Sequence, residues 1–369
     1  MLGPMLPLLA TRWRLSDFDA GYLFTAQFLA SLVTSAASGV FINRLGYRWA
    51  LFCSLILMAL GAGMLNQKSW QLGMTAVCIY GAGTGLSNPT GNLWIAGINA
   101  ERPAAALNLV NFSWGAGAVG APLAIAALEH SGRMIWATYA TSAAAVALCI
   151  WLASARFPAV PVSAREQALP QAGTETERLR RQFYSALILC LLFFTYVGTE
   201  TSIGGWVAAH ARRLSVGGGT LWAAIPAIFW GALLLGRASA PIFLRRARQN
   251  SLAVGGLILA LAGMAGILAA HSPESIAVSS GLVGFGLASV YPINLALLSE
   301  WFGAKAPKAG SVIFPASGLG GAFLPWLVGL TSTYSGGGLR FGLFIPLLGI
   351  ALMLALYLTY VRSMQTEAA

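Results

Sequence analysis

An all-α protein that crosses a membrane many times is what this sequence predicts, on three observations. Of its 369 residues, 57% are hydrophobic and 9% are charged, against roughly a quarter charged in an ordinary soluble domain. The apolar residues fall into long runs between short polar loops, and a helix needs about 20 mostly apolar residues to cross the hydrocarbon layer. The second half of the chain also repeats the first at a fixed offset, which makes the runs two similar bundles.

Taken in order, residues 1–15 (MLGPMLPLLATRWRL) are apolar only as far as Arg12. At 1.5 Å per residue this piece is too short to cross a membrane. It is expected to be the outer half of a first helix, with roughly 10–20 natural residues preceding it. A signal peptide is the alternative, but the segment lacks a basic start and a small-residue cleavage site. Eleven full spans follow, at about 20–43, 48–67, 70–99, 104–129, 133–154, 183–210, 219–244, 251–270, 275–302, 308–333 and 339–362. Residues 155–182, rich in Pro, Ala and charge, read as a linker. They divide a six-helix bundle at 1–154 from a second at 183–369, twelve helices in all with the first truncated.

The net charge of +11 does not point to nucleic acid, because the basic residues form short clusters between apolar runs rather than one stripe. They are topology signals. Alternate loops carry fourteen Lys and Arg on one side and seven on the other, which assigns linker and C-terminus to the cytoplasm. A bacterial inner membrane is the expected location. The four cysteines, Cys53, Cys78, Cys149 and Cys190, each sit inside an apolar run without the spacing of a metal or disulfide framework, so packing is their expected role.

With an offset of 203 residues, Gly81 falls on Gly284, Gly83 on Gly286, Pro89 on Pro292, Gly115 on Gly318, Gly117 on Gly320 and Pro122 on Pro325. The fourth and fifth helices of one half therefore correspond to the tenth and eleventh. Parallel repeats about an axis along the membrane normal are a construction used by transporters.

The loop after the second span reads G-V-F-I-N-R-L-G-Y-R, from Gly39 to Arg48. It resembles the G-x-x-x-D-R-x-G-R-R signature of the major facilitator superfamily. The resemblance implies two six-helix bundles and assigns conformational gating to Gly39, Asn43, Arg44, Gly46 and Arg48. Asn43 stands where that family usually has aspartate, which leaves a hydrogen bond at best where a charge pair would be. In the seventh span, Y-V-G-T-E-T-S-I-G-G-W from Tyr196 to Trp206 resembles fucose:proton-symporter-like sugar permeases. That likeness implies transport of a monosaccharide, with membrane lipid and protons as further partners and a monomer as the working unit.

Of the eleven acidic residues, only Glu200 falls mid-span. A carboxylate there costs about 2.5–3.5 kcal/mol on insertion scales, so it is read as functional. It is expected to accept ligand hydroxyls or to carry a coupled proton; a bare interhelical hydrogen bond is the alternative. Thr84, Asn88 and Asn92 recur every four residues beside Pro89 and share one face. Asn108, Asn111 and Trp114 follow in the fifth helix, Tyr196 in the seventh, and Tyr291 and Asn294 flank Pro292 in the tenth. Gln27 in the second helix joins them. Amides and a carboxylate suit paired hydroxyls, and an indole or phenol covers the C–H face of a sugar. Arg237, the one cation inside a span, lies two turns from the basic end at Arg245 and is expected to reach back to the membrane surface.

No phosphate-cradling G-x-x-x-x-G-K-[ST] sequence occurs, and His130, His210 and His271 do not cluster. Neither an enzyme nor a cofactor nor a metal is expected. The alternatives to sugar transport are export of drugs or amphipathic metabolites, and a solute sensor built on a transporter fold.

Overall fold

The computed structural model describes residues 2–99, 102–131, 133, 135–154, 175–215 and 219–361. The first half comprises α1 (Leu2–Trp13), α2 (Asp17–Met64), α3 (Trp70–Ile98), α4 (Pro103–His130) and α5 (Ile135–Ser154). The second comprises α6 (Glu175–Leu214), α7 (Leu221–Leu244), α8 (Gln249–Ala269), α9 (Pro273–Leu287), α10 (Val290–Phe302), α11 (Ala306–Tyr334), α12 (Gly338–Gly342) and α13 (Phe344–Leu356). No strand occurs among the described residues. The all-α membrane fold expected from composition is therefore observed.

Four boundaries differ from expectation, three of them for a local reason. The second and third spans run together as α2, broken only at Gly46, whose φ of 77° and ψ of 165° are non-helical. Glycine adopts that left-handed φ without a Cβ clash, so a hairpin bends sharply with no loop. The tenth span is divided between α9 and α10 because Pro292 cannot donate to the carbonyl four residues back. Pro346 does the same between α12 and α13. The start of α6 at Glu175 places the last part of the expected linker in a helix, while residues 155–174 of that linker lie outside the described residues.

Packing reproduces the sequence repeat. A Cβ on Gly81 would lie 2.3 Å from the Gln27 carbonyl oxygen, and one on Gly284 would lie 2.2 Å from that of Phe229. Gly83 is similarly pressed onto Ser54 and Met58, and Gly286 onto Gly256 and Ala260. The partners, like the glycines, sit close to one repeat apart. Small residues let backbones approach where lipid offers no hydrophobic drive to association. Such glycines are used for contact rather than for bending.

The halves meet along three seams. Gly3 of α1 rests on Gly204 of α6, Gly21 of α2 rests on Trp326 of α11, and Gly115 of α4 meets Leu234 of α7. At the end of the molecule that carries Asp17 the closure is dense. Asp17 accepts hydrogen bonds from Arg213 and Ser332, the Phe18 amide donates to Thr333 at 3.0 Å, and Thr25 donates to the Ala322 carbonyl at 2.9 Å. Phe18, Tyr22, Trp326 and Tyr334 meet edge-on or tilted at the same end, with centroids 5.0–6.1 Å apart. Toward the Gly46 end, Gly318 of α11 faces Leu32 of α2; beyond it Val33, Val40, Phe41, Val312 and Phe314 are exposed.

Candidate functional site

One turn separates Tyr196 from Glu200 on α6, so both side chains leave the same helix face. The Tyr196 hydroxyl donates to Glu200 Oε1 at 3.1 Å. From α7, Arg237 Nη2 approaches the Tyr196 hydroxyl and Glu200 Oε1, each at 3.3 Å. Tyr291 of α10 closes the group, its ring 5.4 Å from that of Tyr196 and 5.3 Å from that of Phe193. Tyr196 is 0% exposed, while the side chains of Glu200 and Arg237 keep 12% and 27%. An ion pair this far into a membrane persists because each charge offsets the desolvation of the other.

This corrects the expectation for Arg237. Its guanidinium does not run back toward Arg245 but turns to the carboxylate on the neighbouring helix. A fixed counter-charge and a phenol at hydrogen-bond range outweigh a long reach to the headgroups.

One turn beyond Glu200, Gly204 presses against the indole of Trp230. Trp230 packs edge-on against Trp114 of α4, with centroids 5.4 Å apart and planes at 88°. Since residues seven apart share a helix face, Trp230 and Arg237 look the same way. The polar quartet therefore lies one layer below an aromatic bridge between the halves. Trp114 remains 54% exposed, with a free ring surface beside that bridge, and the exposed Asn111 sits one turn from it.

The other expected residues are distributed differently. Asn88 is exposed, and Asn92 Nδ2 donates to its Oδ1 at 3.4 Å. Thr84 bonds back to the Gly81 carbonyl at 2.9 Å. Gln27 is half-buried under Gly81. No hydrogen bond joins Gln27, Asn88, Asn92 or Asn111 to the quartet among the described residues, and the side chain of Asn108 lies outside them. Asn294 departs from the solute-facing position expected of it. It is 0% exposed, and its Oδ1 accepts from the Tyr357 hydroxyl at 2.7 Å, inside the second bundle rather than on its inner wall. A cleft of about 470 Å³ opens elsewhere, at the closed end, lined by polar and apolar side chains, among them Thr11, Arg14, Asp17, Trp206, Arg212 and Arg213.

Residues 1–278 match the sequence profile of the Major Facilitator Superfamily. The chain belongs to that superfamily. Human sodium-dependent glucose transporter 1 is 22% identical over 373 residues, covering 89% of this chain and 70% of the relative. The solved D-xylose-proton symporter superposes with a TM-score of 0.77 at 14% identity, covering 97% of this chain and 93% of that one. The Escherichia coli fucose:proton symporter FucP, as a single-residue variant, gives 0.59 at 18%, covering 96% and 95%. As a major facilitator protein the chain is a multi-pass membrane transporter and not an enzyme.

In this major facilitator fold the signature loop rests on one of its expected residues. Arg48 Nε donates to the Leu152 carbonyl at 3.0 Å and Nη2 to that of Ala153, placing a cation on the negative end of α5. Its guanidinium also lies 5.5 Å from the Trp49 ring. Gly46 makes the bend. Asn43 and Arg44 are exposed without hydrogen bonds to described residues, and a Cβ on Gly39 would meet open space.

Sequence reasoning missed Trp230 and the Asp17–Arg213–Ser332 junction. A signal for the first existed: Trp230 precedes Arg237 by two turns on a helix facing the other bundle. For the second there was none, since its members lie on three separate helices.

Proposed function

We propose that the chain moves a monosaccharide across the membrane by alternating access, residues 1–154 rocking against 183–369 about a site between them. One observation carries this reading: a buried carboxylate, a guanidinium and two phenols form a single layer beneath indoles contributed by both halves. Hydroxyl-rich solutes need acceptors, donors and a flat apolar surface together. Glucose, xylose and fucose appear in the names of the similar proteins, which supports the same class here. Glu200, Arg237, Tyr291 and Trp114 form the first contact set, the buried Tyr196 orients Glu200 through its hydrogen bond, and Asn88, Asn92, Asn111 and Gln27 complete the set when the halves close on solute. Asn294 acts indirectly, by holding Tyr357.

The excess of basic residues supports a cytoplasmic position for the Gly46 end, the linker and the C-terminus, in a bacterial inner membrane. The state closed at Asp17 is then inward-facing. The protein works as a monomer in lipid. Proton coupling runs through Glu200, the one described carboxylate at mid-membrane depth.

Purified protein in liposomes, loaded with unlabelled sugar and given radiolabelled glucose, xylose or fucose outside, tests the reading. Saturable counterflow of at least one sugar is expected. Stabilisation by lipophilic cations with no sugar exchange would assign it to drug export, and sugar binding without flux to sensing. Acid-stimulated uptake that survives Glu200→Gln would move coupling to another group.

A further inference from the structure

The hydrogen bonding inside the quartet is incomplete in a particular way. Only Oε1 of Glu200 is engaged, by Tyr196 and Arg237, while Oε2 accepts nothing from described residues. Arg237 spends Nη2 on both contacts, and its Nε is buried with no acceptor among described residues. A buried guanidinium donor without a partner is costly, and native interiors rarely tolerate one. The arrangement leaves guanidinium donors and one carboxylate oxygen uncommitted on neighbouring groups of opposite charge that together sum to zero.

We infer that the Glu200–Arg237 pair sets the charge specificity of the site, taking two adjacent hydroxyls of an uncharged sugar and rejecting both sugar acids and amino sugars. One hydroxyl oxygen accepts from the guanidinium, and the neighbouring hydroxyl donates to Oε2. Neighbouring hydroxyls do both without bringing a charge to the pair. A uronic acid meets Glu200 with like charge, and an amino sugar meets Arg237 in the same way; rejection by an unpaired like charge is a recognised source of specificity. The 3.3 Å separation between the pair is long for a charge-assisted bond, so hydroxyls can insert without first breaking a tight clamp. The inference rests on the sugar-transport reading and names which sugars that site admits.

The test uses the purified full chain in detergent, reading thermal stabilisation by glucose, xylose or fucose, with glucuronate and glucosamine as charged counterparts at a pH that keeps the amine protonated. The wild type is expected to bind a neutral sugar at least about tenfold more tightly than either charged one, a difference of about 1.4 kcal/mol. Arg237→Gln leaves a net negative site and moves the glucosamine-to-glucuronate preference about tenfold toward the amine. Glu200→Gln moves it about as far the other way, and the double variant Glu200→Gln/Arg237→Gln loses discrimination between the two. Size-exclusion profiles identify misfolded variants, for which Arg237→Lys and Glu200→Asp substitute, each expected to keep the wild-type order. Equal binding of neutral and charged sugars by the wild type, or single variants that weaken both charged sugars alike, overturns the inference and leaves sugar transport standing. If no neutral sugar binds or exchanges, the transport reading fails, and this one with it.

Discussion

Arg237 and Glu200 show how a single pair of side chains decides what a membrane interior tolerates. Removing one partner leaves the other charged and half-sheltered among apolar helices. Arg237→Leu is therefore expected to destabilise the protein by about 3 kcal/mol, seen as a lower melting temperature in detergent. Glu200→Leu/Arg237→Leu should recover most of that loss while abolishing sugar binding, because a buried pair can be exchanged for apolar groups at little cost. A second expectation concerns Tyr357. Its hydroxyl is the partner of Asn294, whose Nδ2 already lacks an acceptor among described residues. Tyr357→Phe leaves both ends of the amide unsatisfied and should cost about 1–3 kcal/mol with the sugar KM unchanged; a raised KM with unchanged stability would return Asn294 to the binding wall.

Individual helices are placed by glycine contacts, and the repeat makes those contacts testable in pairs. A valine at Gly81 or at Gly284 would drive a side chain into a backbone carbonyl on the facing helix. Overpacking of a tight interior costs about 1–3 kcal/mol even where side chains can yield, and backbone yields less. Gly81→Val and Gly284→Val are therefore expected to lower the yield of folded protein by similar amounts, while Gly39→Val, with open space around it, leaves it unchanged. A large difference between the paired variants would show that the two bundles do not pack equivalently. The helices were legible in the sequence because an apolar run about 20 residues long has few structures open to it in lipid. Their interruptions were less so. Pro292 and Pro346 break spans within the bundle, and the hairpin at Gly46 removes a loop that the spacing of apolar residues had suggested.

Two bundles joined more firmly at one end than at the other are poised to rock. Asp17 ties α2 to α6 and α11 at the closed end, whereas toward Gly46 Val33, Val40 and Phe41 are exposed. Losing that junction in Asp17→Asn should shift the population toward opening at the Asp17 end by about fivefold, the effect of about 1 kcal/mol. Labelling of a cysteine placed at Ala20, buried at that end, measures it, and unchanged labelling would mean the aromatic cluster alone holds that end. The two-bundle plan was legible from the offset of 203 residues, and Tyr196, Glu200 and Tyr291 from their depth. The partners of those residues were not, since α6 and α7 are brought face to face by packing that no local spacing encodes. Arg237 read as a surface-seeking residue until its neighbour was in place. The direct test of a sugar site between the halves is a structure of the full chain with bound glucose, xylose or fucose. The account predicts sugar density against Glu200 and Arg237 with a ring face toward Trp114; density instead in the cleft beside Arg14 and Arg212, with the quartet unchanged, would contradict it.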